Sequence, residues 1–503
     1  MRVIINVAYE NFFNILSLGM TIMTVISLIQ RRRYAVLSFL VPLIIFLFSL
    51  NGTFADNAVG ASIQGMQYSM WKNHSFDLGT VENPIIDTVD KGSFKGKYYS
   101  AISPGFSFLS LPFATTGFML DGGDLNLWGY SRIMDELFLA ICASFAALFV
   151  YKICRFYAQP IPSLLAAITF AFATSVWTFT TVLFIQDASV LFSTLSVYLL
   201  LRHVKQEENR RLIPVLSGLS LGLAVFVEYM TALFFPVLLA YLFFKRRNKL
   251  LILLFTLSFL AGPSMHFIYN YVAFENPFIF PEQLKVDGQS QDLWSRFEFN
   301  DLPLHALAYI ISPYRGILLF SPVLILGMYQ LYRMIKSNRH RADAVLFIGL
   351  FLVILLPYSA WHDWSGGLAY GPRFLISAIP YFVIPISILL SEKRSYILAG
   401  GFLSLFVVSS FIQGAGALAH PFSIYGDVLT YQPTEFNIPL MFEGDLTTWW
   451  FFKLGIFFSK GTASLFQLFA TVVFILLWHI AAYFSIKSVG ETKNSAHEAE
   501  NGG

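Results

Sequence analysis

Residues 31–56 read RRRYAVLSFLVPLIIFLFSLNGTFAD: three arginines, an apolar run at 34–54, and an acid, Asp56, just beyond it. A helix needs about 20 mostly apolar residues to cross the hydrocarbon core of a bilayer, and this run supplies them. Inside hydrocarbon every backbone amide must be satisfied within its own segment, which at this length means an α-helix. The positive-inside rule puts the arginines on the cytoplasmic side. Asp56 then emerges on the other.

The same pattern recurs along the chain. Thirteen apolar stretches run at about 12–30, 34–54, 131–153, 162–178, 183–201, 212–227, 229–244, 249–271, 306–331, 343–360, 374–390, 396–418 and 463–486. Basic clusters fall at Arg31 to Arg33, Lys152 with Arg155, Arg202 to Arg211, Lys245 to Lys249, Arg333 to Arg341, Lys393-Arg394, and Lys487 with Lys493. Threading the stretches in turn brings all of these to one face, which carries 21 of the 33 basic residues and only 7 of the 30 acidic ones. The expectation is an all-α polytopic membrane protein with its N-terminus outside. Composition agrees. Of 503 residues 56% are hydrophobic and 13% charged, where a soluble domain carries about 25% charged residues. Soluble enzymes, nucleic-acid binders and disordered scaffolds are therefore poor readings. Two cysteines in one apolar stretch, Cys142 and Cys154, give neither a disulfide framework nor a metal-ligand pattern. No cleavage site follows the first apolar stretch, so it reads as an additional helix at 1–33. Residues 487–503 read as a disordered cytoplasmic tail.

The long polar segments, about 55–130, 272–305, 361–373 and 419–460, all lie on the outer side of this topology. Helices lying in the interface are expected there at Asn57 to Trp71 and at Phe106 to Leu120. Asp56 is a candidate base at the helix exit, or alternatively the N-cap of the following helix. Asp187, in Gln186-Asp187-Ala188, stands near the outer end of an apolar stretch, where an acid costs about 2.5 to 3.5 kcal/mol and by default faces a polar cavity. It could also be a water-exposed interfacial acid. Glu228 shares that ambiguity. Arg315 in Ser312-Pro313-Tyr314-Arg315-Gly316, and Arg373 at the end of the outer segment Trp361 to Phe374, bring positive charge suited to phosphate. The bland alternative for each is a snorkelling side chain, and Trp361 and Trp364 could be interfacial anchors.

The order and sidedness of these motifs resemble the GT-C fold glycosyltransferases, in particular the protein O-mannosyltransferase and aminoarabinose transferase superfamily that uses polyprenyl-phosphate-linked sugars. The likeness runs over about 34–390, with residues 391–486 forming further helices around the outer loop 419–460. It is carried by Asp56 after its helix, Gly96-Lys97-Tyr98-Tyr99 with Ser103-Pro104-Gly105, and Gln186-Asp187-Ala188. Ile268-Tyr269-Asn270-Tyr271, Phe274-Glu275-Asn276-Pro277, Ser312 to Gly316 and Gly366-Gly367 with Tyr370 to Phe374 extend it. One departure is that Asn57, not a second acid, follows Asp56.

The resemblance implies sugar transfer to a lipid, glycan or protein acceptor on the outer face of a prokaryotic plasma membrane. An inverting transfer needs a general base and positive charge for the departing phosphate. Asp56 is expected as the base, with Asp187 orienting acceptor, sugar or clamp, and Lys97, Arg315 and Arg373 as the phosphate clamp. Tyr98, Tyr99, Glu228, His362, Asp363 and Tyr370 are candidates for the substrate pocket. A divalent metal is compatible with the fold, but no ligand constellation demands one. A transporter or flippase is the alternative of another class. It usually carries internal repeats and a midplane site, neither of which is evident here. A lipid-linked polysaccharide polymerase or ligase would share the donor.

Overall fold

A computed structural model describes residues 33–50, 58–80, 88, 90–127, 129–207, 210–285, 294–338, 340–367, 369–392 and 396–418. The expected helix before residue 34, Asp56, the loop 419–460, the stretch 463–486 and the tail lie outside these residues. In chain order the helices are α1 (Arg33–Ser49), α2 (Ala58–Asn73), α3 (Gly105–Leu120), α4 (Tyr130–Cys154), α5 (Pro160–Phe172), α6 (Val176–Thr180), α7 (Gln186–Lys205) and α8 (Leu212–Val227). They continue as α9 (Phe234–Arg246), α10 (Lys249–Phe259), α11 (Ala261–Phe274), α12 (Leu302–Ile311), α13 (Ile317–Phe320), α14 (Leu324–Lys336), α15 (Arg341–Ala360), α16 (Pro380–Glu392) and α17 (Tyr396–Leu418). Among the described residues five helical segments are long and apolar enough to cross a membrane, and several shorter apolar helices accompany them.

Two local rules explain most of the breaks. Pro263 lies in the first turn of α11, where its ring displaces the carbonyl four residues back. The helical run is accordingly interrupted at Leu260, between α10 and α11. The expected stretch 306–331 is not one helix but three, α12, α13 and α14. Ser312-Pro313 disfavours helical backbone before the proline, and Ser321-Pro322 repeats the effect. Likewise the expected 162–178 stops at Phe172, and a turn separates α6 from α7.

Among the described residues the all-helical expectation is broken by a hairpin. Strands β1 (Lys91–Phe94) and β2 (Lys97–Ser100) pair antiparallel, Phe94 opposite Lys97, around Lys95-Gly96. Both turn residues have positive φ, 50° and 78°, which is the type I′ geometry whose twist suits a two-residue hairpin.

Helix packing relies on small residues. At Gly262 of α11 a Cβ would stand 1.8 Å from the Gly222 carbonyl oxygen of α8, so the two backbones touch where neither has a side chain. Helix α4 starts on Asp121, whose carboxylate oxygens accept the Tyr130 and Ser131 amide hydrogens at 3.0 and 3.1 Å. This satisfies two free amides and sets a negative charge at the positive helix end. Helix α7 packs between α8 and α4, which fixes its first turn deep in the protein. Helix α2, expected in the interface, has every residue from Gly60 to Ser69 buried. Its neighbours are α3 and β2.

Candidate functional site

The first turn of α7 carries Gln186, Asp187 and Ser189. Asp187 is 1% exposed, and neither carboxylate oxygen has a hydrogen-bond partner in the protein; the Gln186 side-chain oxygen has none either. Around this turn cluster Leu139, Cys142, Leu183, Ile185 and Val227. An ionised carboxylate enclosed in this way costs several kcal/mol unless something pairs with it. Among the described residues no side chain or backbone group supplies that partner to Asp187.

Glu228, 4% exposed, ends α8 in extended backbone. Unlike Asp187 it is satisfied: Ser189 donates its hydroxyl to Oε2 and Tyr358 donates to Oε1 at 3.0 Å. The positive charge of Arg373 lies within electrostatic reach. That guanidinium sits over the rings of Phe184 and Phe374, 4.7 Å from each centroid, and its Nε has no partner. Close beside it runs Gly366, where a Cβ would lie 3.0 Å from Nε. Gly366 and Gly367 both have positive φ, a conformation glycine adopts without strain. The structure thus brings Asp187, Glu228 and Arg373 to one end of α7 and α8, with Phe184 in contact with Arg373 and three residues before Asp187.

Arg315 has a different setting. Fully buried, it donates from Nε to the Ser365 carbonyl at 2.6 Å, from Nη2 to that of Gly367 at 2.5 Å and from Nη1 to its own neighbour Tyr314 at 3.1 Å. Its donors hold the segment 361–367 in shape. Asp363 accepts from the Gly367 amide at 3.2 Å inside that segment. Tyr370 donates to the Ile412 carbonyl at 2.7 Å, which ties the segment to α17. His362 is held through its amide by the Arg296 carbonyl, and its Nε2 is unpartnered. Burial and the nearby Arg296 charge push the His362 imidazole below its ordinary value.

Lys97 and Tyr98 are exposed on the hairpin, and Tyr99 is buried. The hairpin is fastened by Lys285, which pairs with Asp90 at 2.9 Å and Glu282 at 3.0 Å. Burial raises the Glu282 carboxyl above its ordinary value against the pull of Lys285 and Arg296. Aromatic contacts run from the hairpin to Glu228: Tyr99 on Phe274, Phe274 on Tyr269, Tyr269 on Phe108, Phe108 on Phe226, Phe226 on His266 and His266 on Tyr229. The hydroxyls of Tyr229 and Tyr269 are buried and unpartnered. Ser189, Tyr229 and Tyr358 were not expected at the site from the sequence, and Tyr269 was read only as part of a segment carrying the resemblance, since Ser and Tyr within apolar runs carry no local signal. Among the described residues no group of three or more His, Cys, Asp or Glu gathers as a metal site.

Comparison with known proteins gives the architecture its class. A family model for dolichyl-phosphate-mannose-protein mannosyltransferase matches residues 127–266, the segment that contains Asp187 and Glu228. Among solved structures the chain is similar to ArnT from Cupriavidus metallidurans bound to undecaprenyl phosphate. The TM-score is 0.53 and the identity 13%, over 90% of this chain and 76% of that one. It is also similar to the oligosaccharyltransferase of Archaeoglobus fulgidus in the apo form, with a TM-score of 0.52 and 12% identity, over 78% of this chain and 56% of that one. No curated protein matches the chain. At these identities the likeness is one of fold: the chain has the GT-C architecture of integral-membrane glycosyltransferases.

Proposed function

We propose that this protein transfers a sugar from a polyprenyl-phosphate-linked donor to a lipid, glycan or protein acceptor on the extracytoplasmic face of a prokaryotic plasma membrane. The observation that supports the reading is an acid and a cation that the described residues leave unsatisfied at one end of α7: Asp187 with no hydrogen-bond partner at either oxygen, and Arg373 with none at its Nε. A GT-C transferase needs that combination. The relatives of known structure supply the donor chemistry, since ArnT was solved bound to undecaprenyl phosphate.

In this mechanism the acceptor hydroxyl gives its proton to a carboxylate as its oxygen attacks the anomeric carbon. The bond from that carbon to the phosphate oxygen breaks, and the polyprenyl phosphate departs with the electron pair. Asp56 is assigned as the base and Asp187 orients the acceptor or sugar. Arg373 and Lys97 stabilise the departing phosphate, while Arg315 serves the clamp by holding segment 361–367. Tyr98, Tyr99, His362, Asp363 and Tyr370 belong to the walls. The thirteen-span topology, with residues 34–390 as the catalytic module, puts these groups outside the cell. A transporter reading has less support, because the acids and cations gather at one end of the bundle.

Detergent-purified protein incubated with a panel of polyprenyl-phosphate sugars should release free polyprenyl phosphate by transfer or hydrolysis. No release from any donor, with movement of one across proteoliposomes, would favour the transporter. Asp56→Asn should keep donor binding and lower turnover about 10² to 10⁴-fold, with Asp187→Asn as the matched comparison. Full turnover in Asp56→Asn would move the base to Asp187. Sidedness has its own test, because Cys142 and Cys154 are buried and leave little background. A cysteine at Ser93 should react with an impermeant reagent on intact cells, while one at Ser337 should not.

A further inference from the structure

Glu228 and Arg373 act on one another without forming a direct ion pair, and the connection between them is built from two rings and a hydroxyl. Tyr358 donates its hydroxyl to Glu228 at 3.0 Å. Its ring stacks on Phe374 at 4.3 Å between centroids and 1° between planes. Phe374 follows Arg373 in the chain and lies beneath its guanidinium. On the other side Glu228 accepts from Ser189, two residues beyond Asp187 in the same helical turn. One buried carboxylate thus ties the turn that carries the acid to the segment that carries the cation.

The physical need for such a tie is specific. A carboxylate with no exposure is costly unless a positive charge and hydrogen bonds compensate it, so Glu228 is held in place by Arg373 as much as the reverse. A direct pair would occupy the fork of the guanidinium, which is the part that binds phosphate. A counter-charge held farther away, behind Tyr358, orients the cation and leaves its N–H groups available. Phe184 and Phe374 complete the restraint by holding its faces.

We infer that Glu228 is a positioning residue: it contacts no substrate, and it aims Arg373 at the donor phosphate while fixing that cation relative to Asp187. This rests on the reading of Arg373 as a phosphate ligand. It also makes a prediction that runs against simple electrostatics. Removing a negative charge near a phosphate site should strengthen phosphate binding if charge alone mattered. A positioning role demands that binding weaken.

The test is a double-mutant cycle on the full chain in detergent, with fluorescent polyprenyl phosphate as the probe and thermal melting as a check on folding. Glu228→Gln keeps one acceptor oxygen, for either Ser189 or Tyr358, turns the other position into an amide donor and removes the charge. Probe affinity should fall on the order of tenfold in the wild-type background and remain unchanged in an Arg373→Ala background, since a residue acting through Arg373 has nothing to act on once it is gone. Glu228→Asp should recover part of the loss. If Glu228→Gln does not fold, Tyr358→Phe takes its place in the cycle, because it keeps the ring stack and the Glu228 charge and deletes only the connecting hydroxyl. Equal losses from Glu228→Gln in both backgrounds, or tighter binding in the wild-type background, would overturn the inference and leave the clamp intact. Wild-type affinity in Arg373→Ala would overturn the clamp and the inference together.

Discussion

Two arginines of this chain have glycines nearby in sequence, Arg315 before Gly316 and Arg373 seven residues after Gly366, and the fold uses them in opposite ways. Arg315 is enclosed, and its guanidinium donates to three backbone carbonyls. Arg373 is half-buried, held by its faces between Phe184 and Phe374, and its Nε has no partner. The difference follows from what surrounds each one. Segment 361–367 turns twice through positive-φ glycines, leaving carbonyls that no helix or strand satisfies, and a buried fork of five donors is the side chain that can gather them. Arg373 begins a short 3-10 helix with rings on both sides. It meets no such carbonyls.

The largest effect should therefore come from the arginine with no free donor at Nε. Arg315→Ala would take the donor from three backbone carbonyls, that of Tyr314 buried and those of Ser365 and Gly367 part-buried; a buried carbonyl left unpaired costs about 1–3 kcal/mol, a sizeable share of the 5–15 kcal/mol that holds a typical domain folded. We expect a sharp fall in melting temperature and in yield of monodisperse protein. A variant that melts like the wild type would show that the carbonyls find other donors and that the contrast between the two arginines is false.

Arg373→Ala should show the reverse profile. Melting should fall less than in Arg315→Ala, by the compensation that the buried Glu228 carboxylate loses, and affinity for polyprenyl phosphate should fall about tenfold or more, as expected for loss of a charge-assisted hydrogen bond worth about 1.5–3 kcal/mol. Arg373→Lys should lose less, because the charge remains and only the planar fork is gone. If Arg373→Ala binds normally but melts early, then both arginines are structural and the phosphate must be met elsewhere, with Lys97 on its hairpin the next cation to test.

Much of the helical framework was legible in the sequence, and the reason is composition. The run 212–227 coincides with α8, and 343–360 falls within α15, because unbroken apolar stretches of that length have one solution in a bilayer. The break of 306–331 into three helices was not legible. Proline and glycine are tolerated inside membrane helices when neighbours satisfy the freed backbone, so the apolar count alone does not reveal where a span ends. Arg315, which lies within this break, reaches carbonyls about 50 residues away. The candidate site divides in the same way. Asp187 and Glu228 stood out as acids in apolar surroundings. Their different states did not, since Glu228 depends on Ser189 and Tyr358, 39 and 130 residues distant. Asp56 lies outside the described residues, so its assignment as base rests on sequence alone.

The smallest effect expected is one of pH, and it sharpens the contrast by asking how firmly segment 361–367 is fixed. His362 has its imidazole pushed below the ordinary value by burial first and then by Arg296 and Lys285, with Asp363 and Glu298 pulling the other way. A base whose folded value is lowered contributes stability that is present above its unfolded value, near 6.5, and lost as the pH falls. Glu282, an acid whose folded value is raised by burial, has the opposite sign: its protonation at low pH favours the folded segment. The two partly cancel in the wild type, so the slope of melting temperature against pH is not by itself informative. His362→Gln removes one of them. Between pH 7.5 and 5.5 the wild type should lose more melting temperature than His362→Gln, by a modest margin because the imidazole is not fully enclosed. Identical slopes would mean that His362 is as free in the folded chain as in the unfolded one.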